Sequence, residues 1–284
     1  MTLKHLLTAC AALLLAAQNI NAGSTPTIND YKRLAETRTL VVLDDNIMSD
    51  FNLKIREVMK NEWNLTKYDF ITIKEFNTKM GDPSYSFLLT TTVTYDVDKT
   101  KARYTYLSLL MGQEKTKVND LPDLISVPLS YASNEDQDYA YKLSCFVRFI
   151  QKHVELMLLE PKLISATPLQ QYSKSAKSLK GKTLLIKKED LPKDLRTKEA
   201  FAKVYPNNFE FADETEITTA IDNQKYNYVF LHKVGPTIAK YNTRCFKLIM
   251  GTDDSEVYYF DYHMIDKKTP NVLLESDLKK MAKQ

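Results

Sequence analysis

Apolar residues recur along the chain with two different periods, and the order of these periods predicts one series of elements twice. Apolar residues every three or four positions indicate helices, whereas short apolar or alternating runs indicate strands. The first series runs helix, strand, helix, strand, helix, three strands and a closing helix. Its predicted ranges are Asn29–Glu36, Thr39–Leu43, Ser49–Trp63, Tyr68–Ile71, Ile73–Lys79, Phe87–Tyr95, Tyr104–Met111, Leu124–Pro128 and Asp136–Leu159.

The second series follows the same order, beginning with a helix around Tyr172. Strands joined through helices favour parallel pairs, and strands in direct succession favour antiparallel pairs. The expected fold class is therefore α/β with an α+β tendency: two tandem duplicated domains, each a mixed sheet with helices in the order α-β-α-β-α-β-β-β-α. The remaining predicted ranges are Leu184–Ile186, Glu199–Val204, Phe209–Phe211, Glu216–Ile221, Tyr228–His232, Cys245–Met250, Val257–Asp261 and Glu275–Met281.

Matched residues indicate that the two series are copies. A Met-Gly pair ends a hydrophobic run in each, at Gly112 and at Gly251, and several other positions match at one common separation. We expect the first domain at 23–160 and the second at 161–284, with the break near Pro161, because proline ends helices. The positions matched at that separation are Tyr31 with Tyr172, Ala35 with Ala176, Tyr68 with Phe209, Phe87 with Tyr228 and Leu88 with Val229.

The order β-α-β-α-β-β-β, with aromatic pairs at Tyr68 and Phe70 and at Phe209 and Phe211, resembles the domain shared by the amino-terminal part of TolB and the curli-secretion channel protein. The whole chain is also similar to exported proteins of Gram-negative gut bacteria. The TolB-like resemblance implies a domain used for protein contacts in the envelope, with no catalytic residues to carry over. A thioredoxin-like interpretation shares the first elements, but the C-x-x-C motif that would give it chemistry is absent.

The first residues have the pattern of a signal peptide. A basic start at Lys4 precedes an apolar stretch from Leu6 to Ala17, and Ala22 offers a small residue for cleavage. We expect an exported protein, periplasmic or at the cell surface of a Gram-negative bacterium, with no transmembrane segment, since spanning takes about 20 apolar residues. Cleavage would leave Cys145 and Cys245, as two buried thiols or as one bridge between the halves.

Composition and motifs exclude several function classes. The net charge of +3 is nearly balanced, and no basic stripe interleaved with aromatic residues predicts nucleic-acid binding. Six glycines and no glycine-rich motif argue against a phosphate-cradling loop. We expect no cofactor, no metal, no catalytic residues and no enzyme activity.

Polar residues after the first predicted strand form one weak candidate site. Asp44, Asp45 and Asn46 stand between a buried strand and a helix, where α/β folds gather ligands. The same residue types also make turns and helix caps. The cluster is therefore either a cation or ligand site or an ordinary capped turn.

Two histidines and two tyrosines complete the candidates. His232 and His263 follow predicted neighbouring strands and could meet in space. Tyr258 and Tyr262 belong to an aromatic run denser than a half-buried strand requires, which indicates either core packing or an exposed row for a protein partner.

Three functions follow as hypotheses. The first is a non-catalytic envelope protein that acts through protein–protein interaction or assembly, which predicts an apolar or aromatic surface patch. The alternative is a periplasmic small-ligand-binding protein, which predicts a pocket between the repeats with converging polar groups. The third is a hydrolase, which predicts a cleft with a pair of perturbed carboxylates.

Overall fold

Ten strands form two five-stranded sheets, one from each half of the chain. The computed structural model describes residues 23–283 apart from 96, 97, 99, 115, 116, 133, 135, 175–177 and 239, so the predicted signal peptide and the match to Ala176 lie outside the described residues. The first half contains α1 (Ile28–Leu34), β1 (Arg38–Val42), α2 (Asp50–Glu62), β2 (Lys67–Ile71), α3 (Ile73–Lys79), β3 (Tyr85–Thr94), β4 (Arg103–Met111), β5 (Asp123–Tyr131), α4 (Gln137–Ala140) and α5 (Leu143–Leu159).

The second half repeats the order of the first. Its elements are α6 (Pro168–Lys174), β6 (Thr183–Ile186), α7 (Lys198–Val204), β7 (Phe209–Phe211), α8 (Glu214–Asp222), β8 (Tyr228–Val234), β9 (Arg244–Gly251), β10 (Val257–Met264) and α9 (Glu275–Met281). The predicted α/β class and the order of elements are confirmed in both halves.

The two sheets share one topology. Their strand orders are β2-β1-β3-β4-β5 and β7-β6-β8-β9-β10. The central strand of each βαβ arrangement, β1 or β6, pairs in parallel with both of its neighbours, and the last three strands pair antiparallel. Helical crossovers allow the parallel pairs and direct turns give the antiparallel ones, so each sheet is mixed, as predicted.

The register corrects the residue matching between the halves by one position. The runs Thr39–Val42 and Thr183–Ile186 match in sequence, which makes Leu184 in β6 the counterpart of Leu40 in β1. Leu40 is paired with Phe87, and Leu184 is paired with Val229. Phe87 therefore corresponds to Val229, and the ungapped match of Phe87 with Tyr228 is wrong. Because side chains alternate between the faces of a strand, that one-residue slip would have exchanged the two faces of the sheet.

Helix α5 lies at the centre of the molecule and is buried on nearly all sides. One hydrophobic cluster combines side chains of α5 with those of both sheets, including Leu88 of the first half and Phe230 of the second. A helix that is apolar around most of its circumference is typical of an enclosed position. The inner faces of the two sheets thus share one core around α5.

The predicted closing helix of the first half is divided in two. A turn at Tyr141 and Lys142 separates α4 from α5, so the single helix expected over Asp136–Leu159 is wrong. The backbone N–H of Lys142 donates to the carbonyl of Tyr139, which closes a tighter turn than an α-helix has. The Asp136 carboxylate accepts from the Phe51 N–H at the start of α2. The division gives Lys142 a position at the junction of two helices.

Polar side chains of α5 connect the halves within this core. Arg148 donates to Glu62 of α2 at 2.8 Å and to Ser255 of the second half at 2.8 Å. His153 accepts from the Tyr172 hydroxyl at Nδ1, at 2.7 Å, while its Nε2 lies 3.1 Å from the Tyr31 hydroxyl. Burial lowers the pKa of His153 to about 3, so its imidazole is neutral near pH 7. Tyr31 and Tyr172, the tyrosines matched between the halves, therefore meet at one histidine.

The two cysteines are free and buried, which confirms the expectation of two thiols instead of one bridge. Burial raises the pKa of each thiol to about 11. A protonated, buried thiol is a poor nucleophile. Among the described residues, no helix combines the length and apolarity that crossing a membrane requires.

Candidate functional site

A cleft opens at the carboxyl ends of β6 and β8, two adjacent parallel strands of the second sheet. Crevices at this edge of an open α/β sheet are the usual position for ligands. The cleft has a volume of about 370 Å³. The first half contributes the end of β5 and the junction of α4 and α5, and the second half contributes the segments after β6 and β8. We call this space the inter-half cleft.

Lys142 lines the cleft from the helix junction, and only 4% of its surface is exposed. Its Nζ donates to His232 Nδ1 at 3.3 Å and lies 4.7 Å from the centre of the Tyr141 ring. Among the described residues, no carboxylate approaches this Nζ within 4.0 Å. Burial, reinforced by the nearby charge of Lys187, lowers the pKa of Lys142 to about 7. A large fraction of Lys142 is consequently a neutral amine at neutral pH.

His232 holds the Lys142 amine through a defined tautomer. Its Nε2–H donates to the Pro128 carbonyl at 2.8 Å, so Nδ1 carries the lone pair that accepts from Lys142. Burial and the neighbouring Lys142 keep the pKa of His232 well below its usual value. Lys142, His232 and the Pro128 carbonyl therefore form one buried chain of hydrogen bonds.

The other charged groups of the cleft largely balance one another. Lys233 lies 3.4 Å from an Asp190 oxygen, and Lys187 lies 3.9 Å from a Glu189 oxygen. Asp138 adds a further carboxylate at the start of the helix junction. With Lys142 neutral, the described lining carries two ammonium groups and three carboxylates.

A buried acceptor without a partner also lies in the wall of the cleft. Asn271 Nδ2 donates to the Pro236 carbonyl at 2.8 Å, but Asn271 Oδ1 is buried with no hydrogen-bond partner. A side chain at Gly235 would collide with this oxygen, which explains the glycine at that position. An unsatisfied buried acceptor is costly, so Asn271 Oδ1 is an energetically unfavourable group in the wall of the cleft.

The predicted cluster at Asp44, Asp45 and Asn46 forms a capped turn. Asn52 Oδ1 accepts from the Asp44 N–H, and Asn52 Nδ2 donates to the Asp44 and Asn46 carbonyls. Burial and the nearby charge of Asp136 raise the pKa of Asp44. Across the described residues, no group of three or more histidine, cysteine or acidic side chains could hold a metal ion.

The two candidate histidines do not meet, so the prediction of neighbouring strands is wrong. His232 lies in β8 and His263 in β10, and β9 separates the two strands. His263 Nδ1 is 3.1 Å from Lys247 Nζ, and its Nε2 is 2.8 Å from the Pro270 carbonyl. His263 belongs to a polar cluster at the far edge of the second sheet, while His232 is buried and contacts Lys142, which lines the cleft.

The aromatic run of β10 packs into the protein instead of forming an exposed row. β10 is an edge strand, but α6 packs along it. Tyr258 is buried, and its hydroxyl donates to Asp254. Tyr262 is partly buried against Phe246 and beneath the Arg244 guanidinium. Core packing is therefore the correct alternative for these tyrosines.

Sequence reasoning missed Lys142, the most perturbed lysine of the cleft. One signal was present, because Lys142 interrupts an apolar run from Tyr139 to Phe146 that predicts a buried helix face. Its contact with His232 joins residues from different halves and cannot be read from spacing. No protein-family model, curated protein or solved structure matches this chain.

Proposed function

We propose that this protein is a non-catalytic ligand-binding protein that holds a small polar molecule in the inter-half cleft, outside the cytoplasm as the leader pattern predicts. Lys142 is the observation that carries this proposal. A lysine whose pKa falls from 10.5 to about 7 on folding costs roughly 4 to 5 kcal/mol of stability at neutral pH. An apolar side chain would avoid this cost. Binding of a ligand to the amine explains why a lysine stands at this position.

The charges of the cleft favour an uncharged ligand. With Lys142 neutral, three carboxylates face the two ammonium groups of Lys187 and Lys233. An anionic ligand would meet a slight excess of negative charge. Carboxylates and a lysine amine are instead suitable partners for hydroxyl groups. The ligand class that fits is a small, neutral, hydroxylated molecule.

Thermal unfolding with a panel of small molecules tests this function. Glycerol, ribose and glucose represent neutral ligands, and succinate and citrate represent anions. We expect saturable stabilisation by a neutral member, which at about 100 times its Kd amounts to roughly 2.7 kcal/mol and several degrees in Tm. Thr237→Trp at the mouth of the cleft should abolish the shift. Thr218→Trp, in a separate groove between α2 and α8, should retain it.

Two results would count against the proposal, one against the neutral ligand and one against ligand binding itself. Stabilisation by the dicarboxylate or tricarboxylate alone would show that the charge argument is wrong. Equal Tm values with and without every panel member, in the wild type and in Thr237→Trp, would overturn the proposed function.

A surface patch supports a second function, the protein–protein contact that the sequence also favours. Ile47, Met48 and Leu53 form this patch on α2 and the loop before it, with 79%, 69% and 51% of their surfaces exposed. The adjacent groove between α2 and α8 is lined by three carboxylates, including Glu214, and one lysine. Exposed apolar groups beside negative charge suit a basic, amphipathic partner segment.

A synthetic amphipathic Leu/Lys peptide provides the probe for this patch. We expect Met48→Ser and Leu53→Ser together to weaken its binding about 10-fold or more in fluorescence anisotropy, because apolar contact is lost. Leu159→Ser, which changes a still more exposed leucine at the end of α5, is the control. Equal losses of peptide affinity in the patch variant and in the control would show that the peptide does not bind through this patch.

A further inference from the structure

Lys142 and its neighbours have the arrangement of an activated amine. A nucleophilic side chain needs an acceptor within hydrogen-bond reach, and that acceptor needs an orienting partner of its own. Lys142 Nζ donates to His232 Nδ1 at 3.3 Å, and His232 Nε2–H donates to the Pro128 carbonyl at 2.8 Å. One N–H of the amine is thereby held against the protein. The nitrogen lone pair and the second N–H have no hydrogen-bond partner among the described residues.

The surroundings keep this amine free of a permanent counter-charge. Lys233, another lysine of the cleft, is engaged by Asp190 at 3.4 Å, whereas no described carboxylate lies within 4.0 Å of Lys142 Nζ. Burial also lowers the pKa of Lys142 to about 7, while a solvated lysine stays protonated. The neutral form, which alone carries a nucleophilic lone pair, is well populated at neutral pH.

The size and the lining of the inter-half cleft limit which ligands can reach Lys142. Its volume of about 370 Å³ suits a small molecule, and its lining places carboxylates, an amide oxygen and lysines around the amine. These groups bind hydroxyl substituents and disfavour an anionic ligand. A carbonyl carbon brought next to Lys142 by such contacts would meet the lone pair directly.

We propose that Lys142 captures a small, neutral, hydroxylated aldehyde or ketone in the inter-half cleft as a reversible imine. This inference rests on the proposed function, because it assigns a chemical class to the ligand of the same cleft. The Lys142 nitrogen forms a bond to the carbonyl carbon as the C=O π pair moves to oxygen. A proton then passes from nitrogen to that oxygen and gives a carbinolamine.

The second half of the reaction releases water. The carbinolamine nitrogen loses its remaining proton, the C–N double bond forms, and the C–O bond breaks with the departing oxygen taking a proton. The atoms balance as amine plus carbonyl giving imine plus water. No oxidant or reductant takes part, and hydrolysis by the reverse steps returns the ligand.

Reductive trapping tests the imine directly. The full mature chain is incubated at pH 7 with glyceraldehyde and sodium cyanoborohydride, which reduces an imine to a stable secondary amine, and the adduct is located by peptide mass spectrometry. We expect one dominant adduct on Lys142, forming at least 10-fold faster than on any exposed lysine. Lys142→Arg and Lys142→Met should both lack it. Lys240→Arg, at an exposed lysine outside the cleft, should keep it.

The outcomes separate this inference from the proposed function. Glycerol has the hydroxyl groups but no carbonyl, so a saturable glycerol effect that Thr237→Trp abolishes reports cleft binding without imine chemistry. Stabilisation by glycerol with adducts only on exposed lysines would overturn the imine and leave ligand binding intact. Absence of both a glycerol effect and a Lys142 adduct would overturn both proposals.

Discussion

Replacing Lys142 by methionine should stabilise the protein by about 2 kcal/mol at pH 7, although most substitutions of buried residues destabilise. Folding lowers the pKa of Lys142 from 10.5 to about 7, and keeping that proton off, or keeping the charge buried, costs roughly 4 to 5 kcal/mol. Methionine fills a similar volume and removes that cost. The variant also loses the donor to His232 Nδ1, which destabilises it by about 1 to 3 kcal/mol.

The pH dependence of this gain provides a second check. Between pH 7 and 10.5 the unfolded wild type binds more protons than the folded protein does, so its stability should rise with pH by about 1.4 kcal/mol per unit from this group. The methionine variant lacks that rise. Its advantage should therefore be close to its maximum at pH 7, fall to zero between about pH 8.5 and 9, and reverse above that, where only the lost hydrogen bond to His232 remains.

Urea unfolding at several pH values measures both effects. Lys60→Met, on the exposed face of α2, is the matched control and should change stability by less than about 0.5 kcal/mol at any pH. A methionine variant at position 142 that is less stable than the wild type at pH 7 would mean that the lysine is satisfied in the folded state. The account of a costly, available amine would then fail.

Replacing Arg244 by methionine should destabilise the protein by about 3 to 5 kcal/mol, because it leaves a buried carboxylate without its partner. Arg244 donates to both oxygens of Asp98, at 2.9 and 3.0 Å, and both side chains are almost fully buried. The guanidinium also lies 3.9 Å from the centre of the Tyr95 ring. The pair connects the segment after β3 in the first half to the start of β9 in the second.

The double variant Arg244→Met with Asp98→Val separates the cost of an unpaired charge from the value of the pair. Removing both charges should restore more than half of the lost stability, since buried pairs are often nearly neutral against apolar replacements. Circular dichroism during urea unfolding would measure the change. A loss below about 1 kcal/mol in Arg244→Met would show that water reaches Asp98, contrary to its burial.

Periodicity predicted the elements of this fold well because most of them have a clear apolar face. The Thr72 cap of α3 and its Glu75 partner, for example, start that helix where the pattern does. The division between α4 and α5 was missed because the apolar residues on either side of Lys142 keep helical spacing across the turn. The residue match between β3 and β8 was also off by one position, because the aromatic Tyr228 stands next to Val229, the true counterpart of Phe87.

The candidate site was much less accessible to sequence reasoning. Asp44 and Asn46 stand where a ligand site was predicted, but Asn52 donates hydrogen bonds to their carbonyl groups. Residue types alone do not reveal that contact. The cleft lies at the edge of the second sheet, near the contact between Lys142 of the first half and His232 of the second. Such a site depends on how two sheets share α5, and local pattern carries no information on that packing.

Trace labelling of Lys142 with acetic anhydride across pH 5 to 10 tests the central claim most directly. Only the neutral amine reacts, so the rate at Lys142, measured by mass spectrometry against free phenylalanine as an internal standard, reports both its protonation and its access to the cleft. The account predicts labelling of the native protein with a midpoint near pH 7. Absence of native-state labelling, or a midpoint near 10.5, would contradict it.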